Sequence, residues 1–89
     1  MRSPIYTKQF SKDLKRMKNR GRKTEKIKKV MTDLIGDRSL DIKHRDHKLV
    51  GYYRDRRECH IEPDWLLIYK RTQEEIIFER TGTHSDLFD

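Results

Sequence analysis

The stretch CHIEPDWLLIYK, residues Cys59 to Lys70, decides how the chain folds. Trp65, Leu66, Leu67, Ile68 and Tyr69 are apolar in succession, which predicts a central β-strand covered on both faces. Glu62-Pro63-Asp64 reads as a tight turn, because proline presets φ and aspartate bonds back to the backbone. The two halves then form a β-hairpin. Such a turn needs no imidazole, yet His60 stands just before it and a carboxylate flanks the proline on either side. The hairpin either has incidental polar groups or carries a site, and both readings stand at this point.

Working upstream, Tyr53 to Ile61 alternates and predicts a strand. Tyr53, Asp55, Arg57, Cys59 and Ile61 take one side; Tyr52, Arg54, Arg56, Glu58 and His60 take the other. Leu49-Val50 reads as a short strand and Gly51 as a bend or bulge. Downstream, residues 71–74 make a turn and Glu75–Thr81 a further strand. Gly82 breaks it, and THSDLFD closes the chain as a turn or a single helical turn.

The first third is helical in pattern. Ile5-Tyr6 is a short strand, and Thr7 caps a helix whose apolar positions Phe10, Leu14 and Met17 form one stripe before Gly21. Thr24 caps a second helix with Ile27, Val30, Met31, Leu34 and Ile35 at helical spacing, closed by Gly36. Each apolar face is too narrow to be stable alone, so both helices must lie on the sheet. The expected fold is α+β: a small antiparallel sheet, built from the N-terminal strand and the C-terminal meander, with a two-helix hairpin on one face. Residues 1–89 form one domain.

Charged residues make up 42% of the chain and hydrophobic ones 33%, so the core is thin. The net charge is +7 and the pI near 9.7. Residues 1–30 hold twelve Lys/Arg against Asp13 and Glu25, a net of +10, which leaves residues 31–89 at −3. That polarity is the footprint of a surface for a polyanion, with nucleic acid as the expected partner, though a merely solubilising helix face is the plainer reading. No apolar run approaches the ~20 residues that span a bilayer, and no apolar leader follows Met1. One cysteine, Cys59, makes no internal disulfide and fits a reducing cytoplasm. No membrane association is expected.

On the strand before the turn, two arginines, a carboxylate and an imidazole project together. Cutting RNA without a metal requires that set. A base removes the 2′-hydroxyl proton, an acid protonates the departing 5′-oxygen, and cations hold the phosphorane. Histidine and carboxylate move protons, arginine forks the phosphate oxygens, and an aromatic stacks on an unstacked base. The histidines are His44, His47, His60 and His84. His44 falls in the polar connection, whereas the other three fall at ends of strands that can meet. A solvated sheet face with scattered histidines is the plainer reading. His44, His47, Cys59 and His60 lack paired-knuckle spacing, so no metal or other cofactor is expected. Cys59 is a small buried apolar residue.

Three boxes carry a resemblance. They are D-H-x-L-x-G at Asp46–Gly51, R-E-x-H-I-x-P-D at Arg57–Asp64 and R-x-G-T-H-x-x-L-F at Arg80–Phe88. With the order strand, two basic helices, meander, the chain resembles the RelE/ParE toxin superfamily, specifically its YafQ-type branch. The resemblance implies a ribosome-dependent endoribonuclease that cuts mRNA and stops translation. It also implies a neighbouring antitoxin that holds the toxin inactive, and a complex that represses its own operator DNA. By the same resemblance His47, His60, Asp64 and His84 are catalytic, with Glu58 implicated and Arg80 stabilising the phosphate. Phe88 supports the substrate base and Trp65 is site-adjacent. Arg54 and Arg56 would meet substrate from the sheet face, and Lys26, Lys28 and Lys29 would grip ribosomal RNA. The departures are Lys48 where proline is common, and Tyr52-Tyr53 where Trp and Lys often stand. The alternative is a basic binding module without chemistry, like gyrase-directed members, which lack the histidine set.

Overall fold

The computed structural model describes residues 1–88; Asp89, the last residue of the expected domain, lies outside the described residues. Five strands and three helices follow one another: β1 (Ser3–Tyr6), α1 (Lys8–Asn19), α2 (Thr24–Ile35), β2 (His47–Lys48), β3 (Arg57–Glu62), β4 (Trp65–Arg71), β5 (Glu75–Gly82) and α3 (His84–Phe88). The sheet order is β1-β5-β4-β3-β2. Strands β2 to β5 form the antiparallel meander, but β1 joins β5 in parallel, so the sheet is mixed. The long excursion through both helices allows this parallel return, which a tight turn does not.

The apolar run Trp65–Tyr69 is the central strand, wholly buried. Alternation divides its side chains between two cores. Trp65, Leu67 and Tyr69 join Phe10, Met17, Ile27, Val30 and Leu34 beneath α1 and α2. Leu66 and Ile68 form a second, smaller core with Leu87 of α3, packed by Leu49 and Tyr53. The face expected to be open is therefore partly covered at its centre. Thr7 caps α1 as read, its hydroxyl accepting from Phe10 N at 2.9 Å. On α2 the boundary moves: Thr24 is already helical, and Lys23 precedes it without a side-chain cap.

Two irregularities aim side chains. Between β4 and β5 the register runs Ile68 to Arg80 and then Tyr69 to Phe78, so Glu79 is an extra residue. Without this bulge Phe78 and Arg80 would share a face; with it, Phe78 enters the large core and Arg80 lies on the side of Ile68. On β3 a second register shift lies between His60 and Glu62. It sets Glu62 opposite Trp65, where its carboxylate meets Arg22 and Lys26 at 2.7 Å each.

The expected strand from Tyr53 is shorter. Gly51–Tyr53 is a 3-10 turn, Gly51 and Asp55 take positive φ, and β3 begins only at Arg57. Two residues with left-handed backbone break the extended pattern that alternation suggested. The Leu49-Val50 strand is likewise displaced, to His47–Lys48, and Val50 is exposed.

Candidate active site

One end of the β2–β3–β4 region gathers the titratable groups. His47 lies opposite Glu58 across β2 and β3, and Glu58 lies opposite Ile68 on β4. His60, next on the same face of β3, lies opposite Leu66. Glu58 is buried, and its Oε1 lies 3.5 Å from His47 Nε2 and 3.4 Å from His60 Nε2. Both rings are oriented from behind. His47 Nδ1 donates to the Arg45 carbonyl at 2.5 Å, and His60 Nδ1 faces the Pro63 carbonyl at 3.3 Å. A carbonyl only accepts, so Nδ1 carries the hydrogen and Nε2 faces the carboxylate. His44 stays outside the cluster but supports it, its Nδ1 donating to the His60 carbonyl at 2.7 Å.

The Glu-Pro-Asp turn and the tail supply the other half. Asp64 Oδ1 accepts from the backbone N–H of His84 at 3.0 Å and from its Nδ1 at 2.8 Å. The backbone donor first, and the imidazole second, hold the Asp64 carboxyl below the ordinary aspartate range. Asp64 therefore fixes the ring, and among the described residues His84 Nε2 has no hydrogen-bond partner. Ring centroids step from His47 to His60 (6.3 Å), to His84 (5.9 Å) and to Phe88 (6.3 Å). Phe88 is 45% exposed and stands edge-on to Tyr53 at 5.6 Å.

The tail that carries His84 and Phe88 is pinned in four ways. Thr83 and Asp86 form a reciprocal capping box, Thr83 N to Asp86 Oδ2 at 2.9 Å and Asp86 N to Thr83 Oγ1 at 3.1 Å. Arg20, just past the end of α1, holds both oxygens of Asp86, at 2.7 and 3.1 Å. These contacts, the Arg20 guanidinium foremost, hold the Asp86 carboxyl far below its ordinary value. Leu87 is buried in the small core. Gly82 lets the helix come close, since a Cβ there would lie 2.9 Å from Asp86 Cβ and Oδ2.

Arg80 is on the same cross-strand row, His47–Glu58–Ile68–Arg80. It is tied from behind: its Nε and Nη2 reach the two oxygens of Asp13 at 2.7 and 3.3 Å. Asp13 is fully buried on α1 and also accepts from Thr81 N, Gln9 and Arg16.

Other expected site residues lie elsewhere. Trp65 is not at the surface of the site; it is buried in the core under the helices, where its Nε1 donates to Thr81 Oγ1 at 2.9 Å. Arg54 and Arg56 do not flank Glu58 on a strand face. Arg54 is exposed in the turn before β3, and Arg56 Nε pairs with Glu79 at 2.8 Å. Lys26 and Lys29 of α2 pair with Glu62 and Asp33, and Lys28 has no ion pair among the described residues. Lys26 and Lys29 line a cavity of about 870 Å³ with Lys43, His44 and Arg45, which touches the histidine cluster only at His60. Cys59 is buried, and burial pushes its thiol up, far from a nucleophile. Among the described residues no His/Cys/Asp/Glu group has a metal-holding arrangement, and no helix is long and apolar enough to cross a membrane.

Sequence reasoning missed Asp13 and Tyr53. A signal for Asp13 existed: position 13 falls inside the arc of Phe10, Leu14 and Met17, where a carboxylate is out of place unless paired.

Known proteins share this sequence pattern and fold over nearly the whole chain. Residues 2–89 match the family described as "Bacterial toxin of type II toxin-antitoxin system, YafQ". The mRNA interferase toxin YafQ of Escherichia coli K12 is 45% identical over 84 residues, covering 93% of this chain and 91% of that protein. The fold superposes on the toxin in the crystal structure of the E. coli DinJ–YafQ complex with a TM-score of 0.94, at 43% identity and full coverage of both chains. It also matches a metal-bound toxin from Helicobacter pylori with a TM-score of 0.91, at 39% identity, covering 99% of this chain and all of that one. With the match running over nearly the whole chain in both sequence and fold, the chain belongs to the YafQ family of bacterial toxins of type II toxin–antitoxin systems.

Proposed function

We propose that this toxin is an mRNA interferase: an endoribonuclease that cuts mRNA on the ribosome, in the cytoplasm, by acid–base chemistry. The carrying observation is the run of rings His47, His60, His84 and Phe88, each about one ring-width from the next, with two separate carboxylates behind them. Glu58 with His47 and His60 is one proton-transfer station, and Asp64 with His84 is the other. A scissile phosphodiester held between them has one station to take the 2′-hydroxyl proton and the other to protonate the 5′-oxygen, each step worth about 10²–10⁴-fold. Attack by the 2′-oxygen expels the 5′-oxygen and leaves a 2′,3′-cyclic phosphate. Arg80 neutralises the phosphorane, and Phe88 with Tyr53 forms the wall on which the base stacks. Lys26, Lys28 and Lys29 contribute to the grip on ribosomal RNA. The cognate antitoxin holds the toxin inactive, and the pair binds operator DNA. The E. coli relative in complex with DinJ supports that partnership.

The test is cleavage of a translated message on purified ribosomes, with ends mapped by primer extension and the 3′ terminus analysed chemically. Cleavage giving a cyclic phosphate, persisting in EDTA with intact ribosomes and lost in His84→Ala, is expected. Full toxicity of His84→Ala on expression, or a strict requirement for added metal, would overturn the acid–base account.

A further inference from the structure

We infer that Asp13 is a positioning residue for the cleavage reaction, holding Arg80 so that its guanidinium faces the scissile phosphate. The inference rests on the reading of Arg80 as the phosphate ligand.

A carboxylate without solvent contact is costly unless its oxygens are met by donors. Asp13 is 0% exposed and its oxygens face Arg80 Nε and Nη2, Arg16 Nη2, Gln9 Nε2 and the Thr81 N–H. The Thr81 contact shows why it stands there. Strand β1 covers β5 only from Glu75 to Phe78, and Thr7 continues by donating from N to the Phe78 carbonyl and from Oγ1 to the Glu79 carbonyl. Beyond that the β5 edge is open, and Asp13 takes its next N–H. An asparagine oxygen would serve for the strand edge alone. The Arg80 pairing goes beyond that need.

Arg80 meets Asp13 side-on, through Nε and Nη2. This two-point contact fixes the plane of the guanidinium and leaves its Nη1 edge for another acceptor. Tyr53 packs against the small core, on the same sheet face as Ile68. The Glu79 bulge brings Arg80 to that side, opposite Ile68, two strands from Glu58. At a strand spacing of about 4.8 Å, the Arg80 and Glu58 backbones stand about 10 Å apart on either side of Ile68. Without Asp13, Arg80 is a long side chain with many rotamers, pulled toward the nearest carboxylate; with it, the fork is set before substrate arrives.

A double-mutant cycle in single-turnover cleavage on programmed ribosomes tests the link. Arg80→Ala is expected to lower the rate about 10²–10³-fold, the scale of one lost charge-stabilising donor. Asp13→Asn, which keeps an oxygen for the Thr81 N–H, is expected to lower it up to about 10²-fold through misplacement, chiefly in kcat rather than KM. In the Arg80→Ala background the Asp13→Asn substitution should have no further effect, because the group it acts through is gone. A defect of Asp13→Asn that persists in full in that background, or wild-type cleavage by Asp13→Asn beside a crippled Arg80→Ala, overturns the inference. Wild-type cleavage by Arg80→Ala overturns it at its base, in the reading of Arg80. Should Asp13→Asn not accumulate folded, the Arg80 Nε–H proton in the otherwise unaltered toxin gives a second measurement by NMR. Solvent exchange much slower than that of the exposed Arg54 supports the side-on clamp, and equal exchange overturns it.

Discussion

Replacing Asp86 by alanine tests how the C-terminal tail that carries His84 and Phe88 is held. Two contributions are lost together. The capping box with Thr83 is worth about 1 kcal/mol, the usual cost of removing an N-terminal cap partner. The two-point pair with Arg20 adds a smaller contribution, because the Arg20 side chain is 43% exposed and solvent screens it. The cap alone, about 1 kcal/mol, lowers the thermal midpoint of a chain this size by about 4–8 °C. Asp86→Asn keeps an acceptor for Thr83 N but loses the charge, so its loss should be smaller than that of Asp86→Ala. The pH dependence has a definite sign. The Asp86 carboxyl is depressed in the folded chain, chiefly by Arg20, so its contribution is present above the ordinary aspartate value of about 3.9. It declines as the pH falls below that value toward the folded one. Urea unfolding of the three proteins at pH 7 and pH 3 should show a gap to Asp86→Ala that is whole at pH 7 and narrower at pH 3. An equal gap at both values would show that the carboxylate charge contributes nothing. A gap near zero at both would mean that α3 is held by Leu87 alone.

Gly82→Ala should damage the site from the other side of the same contact. Its Cβ would meet Asp86 Cβ and Oδ2 at 2.9 Å, and relief by moving α3 should cost about 1–3 kcal/mol and displace His84 and Phe88. Unchanged melting and cleavage would mean that the tail yields freely. Lys28→Glu should weaken ribosome binding without breaking an ion pair, and lower the slope of log affinity against log salt by about 0.9 if Lys28 contacts one phosphate. Reversing Lys26 and Lys29 as well should lower the slope further, and an unchanged slope would leave α2 a solubilising surface only.

Much of this molecule is written in local sequence. The apolar run Trp65–Tyr69 gave the central strand, the stripes at Phe10–Met17 and Ile27–Ile35 gave both helices, and Thr7 capped where it was read. His47, His60, Asp64, His84 and Phe88 are brought together as the three boxes implied. Failures arose where the backbone departs from a simple period. Alternation carried the β3 strand back through Arg56 and Arg54, but the left-handed residues Gly51 and Asp55 make that segment a turn. Strict period 2 would put Arg80 beside Phe78 in the large core, and only the extra residue Glu79 releases it. Trp65, site-adjacent by resemblance but equally well explained by burial, proves to be a core residue on the helix side. The parallel seat of β1 depends on contacts more than seventy residues apart, which no local pattern encodes.

The basic N-terminal third also changes meaning once its partners are known. All four arginines of residues 1–30 are engaged within the described residues: Arg2 with Asp37, Arg16 with Asp13 and Asp86, Arg20 with Asp86, and Arg22 with Glu62. Of the lysines there, Lys26 and Lys29 are paired, while Lys8, Lys12, Lys15, Lys18, Lys23 and Lys28 have no ion pair among the described residues. The division follows the chemistry of the two cations. A planar fork suits fixed two-point contacts that brace the turn and the catalytic tail, whereas a hydrated ammonium on a flexible stem suits a phosphate surface of no fixed geometry. The charge asymmetry thus serves two ends. Under the proposed function, Arg16, Arg20 and Arg22 brace the turn and the tail from behind, and a grip on ribosomal RNA would fall mainly to lysines, whose contribution salt should erode most.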